Sequence, residues 1–154
     1  MFTQRMTGLT HGGFLALSIL ALAAPVLAQS SNFGTMTLAP GFSASAGTAS
    51  GYTGGSVSLA SIANQDRDGN LCLGYGGDRE MPDHVIVLQQ DFSQLTVEFK
   101  DKRQPLTLLI QGPGGVRCGE GRVTGPGWSS GTYRLWVGTP DPGRRSNYTL
   151  FVRQ

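Results

Sequence analysis

Four groups of residues in this 154-residue chain are of types that do chemistry. Gly127-Trp128-Ser129-Ser130-Gly131 fits the Gly-x-Ser-x-Gly pattern of a nucleophile elbow. That elbow works because a strand enters a sharp turn and a helix leaves it, which exposes the serine beside an oxyanion hole. Here a loop precedes the serine and an alternating segment follows it. The base would have to be His84, which comes before the serine, whereas the α/β-hydrolase order puts histidine last. Asp83-His84 is a neighbour pair able to orient an imidazole for base work. Adjacent strand residues point to opposite faces, however, so the spacing favours a histidine bonded within its own turn. Asp66-Arg67-Asp68-Gly69-Asn70 sets oxygen side chains at alternate positions, and Asp66, Asp68 and Asn70 are candidate calcium ligands. No glutamate closes an EF-hand loop, and Asp and Asn also favour such turns by bonding their own backbone. Finally, Trp128 and Trp136 with Tyr133 form a candidate aromatic platform for a sugar or peptide, the alternative being tryptophans packed beneath a loop.

The elements that must position these groups begin after an apparent leader. Residues 14–24 (FLALSILALAA) are an apolar run behind a polar segment containing Arg5, and Val26-Leu27-Ala28 suits cleavage after Ala28. The run is too short for a spanning helix of ~20 apolar residues. The expected division is a secretory signal peptide over 1–28, a flexible leader over 29–34 and one domain over 35–154. Removing Arg5 with the leader leaves eleven basic residues against ten acidic ones, so no basic field recruits nucleic acid or a membrane surface. A secreted or periplasmic location makes a disulfide the natural fate of Cys72 and Cys118, the two cysteines of the chain. Two cysteines and the one histidine outside the expected signal peptide, His84, are too few for a structural zinc site. Calcium is the one cofactor the sequence raises. Asn147-Tyr148-Thr149 is a formal glycosylation sequon.

The rest of the chain reads as strands and turns. Glycine is abundant, and no helical period occurs. Thr35 to Leu38 predicts an edge strand; residues 42–55 are either a small-residue strand or a flexible linker. Leu71-Cys72-Leu73 predicts a short strand carrying the cysteine, and 84–88 one covered on both faces. Leu95, Val97 and Phe99 alternate, as do Leu106, Leu108 and Ile110, and Tyr148, Leu150 and Val152. In the segment after Gly131, Tyr133, Leu135 and Val137 share one face while Arg134 and Trp136 share the other. Residues 119–128 read as a long glycine-rich loop. The expected fold is an all-β antiparallel β-sandwich of seven to nine short strands, its core including these alternating residues with Val85 and Val87.

The C-terminal two-thirds resembles the bacterial pre-peptidase C-terminal (PPC) domain family. Pro82-Asp83-His84, Leu95-Thr96-Val97-Glu98-Phe99 and Leu106-Thr107-Leu108-Leu109-Ile110-Gln111-Gly112-Pro113-Gly114-Gly115 carry the likeness. So do Cys118, Gly131-Thr132-Tyr133-Arg134-Leu135-Trp136-Val137-Gly138-Thr139 and Tyr148-Thr149-Leu150. The resemblance spans roughly residues 70–154 and implies a jelly-roll-like sandwich of the kind appended to secreted proteases. Related collagen-binding modules use calcium and exposed aromatics. Family members often carry acidic residues just after the position of Cys118, where this chain has Gly119-Glu120. The functional expectation is an exported, non-catalytic module that binds an envelope or extracellular protein or glycan, or serves a structural role there. The alternatives are a secreted serine hydrolase using Ser129 and His84, and a calcium-stabilised adhesion or targeting module.

Overall fold

A computed structural model describes residues 30–154; the expected signal peptide and its cleavage point lie outside the described residues. Among the described residues there are eleven strands: β1 (Thr35–Leu38), β2 (Thr48–Tyr52), β3 (Val57–Ser58), β4 (Tyr75–Gly76), β5 (His84–Leu88), β6 (Phe92–Phe99), β7 (Thr107–Gly112), β8 (Gly115–Glu120), β9 (Arg122–Trp128), β10 (Gly131–Gly138) and β11 (Asn147–Arg153). Nine of them form two sheets, ordered β1-β5-β10-β7-β8 and β2-β11-β6-β9, while β3 and β4 make a small ribbon. All pairings are antiparallel except β1 with β5. The chain is thus an all-β sandwich, and no described helix is long and apolar enough to cross a membrane.

Period-two patterning explains the core. Leu95, Val97 and Phe99 of β6 with Leu150 and Val152 of β11 meet Leu108 and Ile110 of β7 with Tyr133, Leu135 and Val137 of β10. Each fully buried aliphatic side chain of this set contributes about 1.5–3 kcal/mol. Gly112 lies under Tyr133: a Cβ there would run into the ring. The strand β5 departs from expectation. Ile86 and Leu88 face the central core, and Val85 and Val87 face the other side. The phase is set by His84, whose imidazole takes the inward position and bonds Tyr148.

Two further segments are more ordered than their composition suggests. The expected loop over 119–128 contains β9, which pairs with β6 from Phe92↔Trp128 to Glu98↔Arg122. As an edge strand it tolerates Pro126 and its glycines. The expected leader is also held: the N–H groups of Asn32 and Phe33 donate to the carbonyls of Pro82 and Asp83 (both 2.9 Å). Phe33 packs against Tyr52 and His84.

A second, smaller cluster lies on the outer face of the five-stranded sheet. Trp136 of β10, Leu109 of β7 and Val116 and Cys118 of β8 point outward there. Residues 57–76 cross this face and cover it with Leu59, Ile62, Ala63 and Cys72. The Cys72–Cys118 disulfide ties the covering segment to β8, with Cα atoms 5.3 Å apart. Backbone bonds from Tyr75 to Thr139, near its end, and from Arg67 to Val116, at its middle, hold it in place.

Candidate functional site

The register of β5 on β10 separates the residues a hydrolase would need. Leu135 lies opposite His84, and Gly131 lies opposite Leu88. Four residues at ~3.3 Å each put His84 and the Ser129 turn roughly 13 Å apart along the sheet. His84 is fully buried, its Nε2 3.0 Å from the Tyr148 hydroxyl. Burial lowers its pKa to about 4, against a smaller opposing effect of the Gly34 backbone. The Ser129 turn has its own bonds. Tyr133 Oη donates to the Ser129 carbonyl (2.8 Å), and the Ser130 N–H donates to Asp91 Oδ1 (2.6 Å). The Ser129–His84 pair is not assembled.

Asp83 is turned away from the imidazole and completes the backbone ladder where β5 begins. Its Oδ2 accepts the Val137 N–H at 2.8 Å, and its Oδ1 accepts from Asn32 Nδ2 at 3.2 Å. Burial raises the Asp83 pKa, and these two bonds act in the opposite sense. Burial likewise raises Tyr148, reinforced by the Asp83 charge. His84 and Tyr148 meet in a hydrogen-bonded interior pair, with Asp83 close by, closed over by Phe33.

Neither tryptophan presents a platform. Trp128 is 1% exposed and part of the central core. Its Nε1 donates to the Gly125 carbonyl at 3.0 Å, and the Arg117 guanidinium covers its ring at 4.1 Å. Trp136 is also 1% exposed, sealed beneath residues 57–76. The candidate ligand-binding roles of Trp128 and Trp136 are therefore corrected to packing roles: the alternation that placed Trp136 opposite the main core is right, but a second apolar layer covers that face.

The Asp66 turn is satisfied from within. Asp66 Oδ1 accepts the N–H groups of Asp68 (2.9 Å) and Asn70 (2.8 Å), and the Asn70 amide reaches both carboxylate oxygens. Desolvation pushes its pKa up, but these bonds prevail and hold it below the usual value. Asp68 points outward, its carboxylate 3.9 Å from Arg67 Nε. Asp66, Asp68 and Asn70 thus form a turn in which the first carboxylate is engaged by backbone donors.

A concavity with mixed apolar and polar walls lies elsewhere. A cleft of about 530 Å³ opens between the disulfide-tied segment, the β6–β7 loop and the end of β8. Leu73, Tyr75, Lys102, Pro105, Thr107 and Glu120 are among its walls. An adjoining hollow of about 240 Å³ shares Leu73, Thr107 and Glu120 and adds Leu71. Cys72 turns inward to its disulfide, so its neighbours Leu71 and Leu73 are forced outward, 57% and 53% exposed. Lys102 at the rim pairs with Glu98 at 3.4 Å, while Glu120 makes no ion pair among the described residues. The cleft thus offers exposed leucines, prolines, one free carboxylate and nearby backbone polar groups. The sequence held a signal for it: alternation around a disulfide-bonded Cys72 must expose the two leucines.

No family model, curated protein or solved structure matches the chain.

Proposed function

We propose that the chain is an exported, non-catalytic module on a PPC-type sandwich that binds an envelope or extracellular protein or glycan in the Leu73 cleft. The observation that carries this reading is the cleft itself. It combines a volume suited to a side chain or sugar ring with leucines held in solvent by a disulfide. Exposed leucines flanking a fixed cysteine are costly to leave in water, and a ligand that covers them recovers that area. The disulfide supports an oxidising compartment. The separation of Ser129 from His84 favours this reading over the hydrolase alternative built on that pair.

The test is a peptide and glycan array probed with residues 29–154, alongside the Leu73→Glu variant. Leu73 is exposed, so this change leaves the folded core intact. Binding to one ligand class that is lost in Leu73→Glu supports the proposal. Binding that is indifferent to Leu73, or none at all, overturns it.

A further inference from the structure

At the opposite end of β8 from the cleft, two arginines converge on one carbonyl oxygen. Arg67 Nη2 donates to the Pro126 carbonyl at 3.2 Å, and Arg117 Nη2 donates to the same oxygen at 3.0 Å and to the Gly127 carbonyl at 2.8 Å. The two Nη2 nitrogens that share this acceptor are no more than about 6 Å apart, a repulsive arrangement unless a negative charge lies nearby. Arg117 is only 5% exposed, and among the described residues it makes no ion pair. Its Nε is buried without an acceptor, and its Nη1 makes no hydrogen bond among the described residues. Arg67 has one carboxylate near it, Asp68 at a long 3.9 Å, which is mostly exposed to water.

The surroundings leave room beside these cations. A Cβ on Gly125 would meet only Arg117 Nη1, at 3.6 Å, and one on Gly127 only Arg67 Nη1, at 4.0 Å. A Cβ on Gly115 would meet only Arg67 Cβ, at 3.5 Å. An arginine Nη1 is therefore the one neighbour within 4 Å of the Cβ position over Gly125 and over Gly127. A buried arginine usually has a carboxylate to balance its charge. Here carbonyl dipoles, the Trp128 face and the solvent-exposed Asp68 supply part of that balance, and no carboxylate among the described residues pairs directly with Arg117.

We propose that Arg67 and Arg117 form a binding site for an oxyanion group, a carboxylate or a sulfate or phosphate, seated over Gly115, Gly125 and Gly127. The fork geometry of guanidinium favours such planar or tetrahedral oxygen groups over a spherical ion. The site lies apart from the leucine cleft and does not depend on it. It would recognise the acidic group of a ligand that lies along the β8–β9 end of the sandwich.

The experiment is an NMR titration of the 29–154 chain with sodium sulfate and, separately, sodium acetate, against sodium chloride at matched ionic strength. The readouts are the amides of Gly115, Gly125 and Gly127 and the Arg117 Nε–H signal. The expected result is a saturable shift with sulfate or acetate that chloride does not produce. The arm that saturates at the lower concentration identifies sulfate-like or carboxylate ligands. Losing one charge-assisted contact corresponds to about tenfold, so Arg67→Gln should weaken binding by at least that factor. Arg67→Lys, which keeps the charge and loses the fork, should fall between. Both variants leave Arg117 and Trp128 in place, and a preserved amide spectrum checks their folding. Shifts equal to those with chloride, or unchanged affinity in folded Arg67→Gln, would overturn the proposal.

Discussion

Replacing both Cys72 and Cys118 by alanine should loosen the covering segment and with it the cleft. The bond closes a loop of 46 residues in sequence separation. On a chain-entropy estimate, releasing that loop in the unfolded state costs about 4 kcal/mol. For a domain of this size, 1 kcal/mol shifts Tm by about 3–4 °C, so the melting midpoint should fall by roughly 12–16 °C. The fold should survive, because the central core lies on the other face of the sheet and Tyr75 remains bonded to Thr139 through two backbone bonds. Thermal melts of both proteins give the size of the effect. Native-state hydrogen exchange gives its location: protection at Leu59, Ile62 and Ala63 should drop well before protection in β10. A midpoint change under about 4 °C, or a uniform loss of protection across both sheets, would refute the idea that this bond mainly anchors the covering layer.

Acid should destabilise the protein through His84. Its folded pKa of about 4 lies below the ordinary value of 6.5, so the unfolded chain takes up the proton first. Stability is full above pH 6.5 and declines by roughly 3 kcal/mol as pH falls to about 4. Asp83, raised by burial, works in the opposite sense over the acid range, so His84→Gln should flatten or invert the slope in denaturant melts. A slope unchanged by His84→Gln would contradict the assignment. Both tryptophans should resist acrylamide quenching in the native state, and Trp136→Ala should cost about 3–5 kcal/mol by emptying the second layer. Fluorescence as quenchable as in the unfolded chain would show that the covering segment is open.

Much of this architecture can be read from alternation alone, and the exceptions have physical causes. In β10 the one-sided run Tyr133, Leu135, Val137 is unambiguous, and it does face the central core. In β5 every residue after His84 is apolar, so period two gives no phase. The phase is decided by the bond of His84 to Tyr148, which is 64 residues away. β9 is hidden because an edge strand paired on one side needs few apolar residues: Val123 and Trp128 suffice beside Pro126 and its glycines. Trp136 was legible as facing away from the core, but what covers it comes from residues 57–76, whose only strong signal was Cys72. The Arg67–Arg117 convergence depends on a loop reaching β8 across a long sequence gap, which no local pattern records.

The most direct test of the proposed function is chemical-shift mapping of an array-selected ligand on the labelled 29–154 chain. Perturbations should concentrate at Leu71, Leu73, Thr107 and Glu120 and vanish in Leu73→Glu. Perturbations centred on the Ser129 turn or spread over the outer face of β6, with the cleft signals unmoved, would contradict the account.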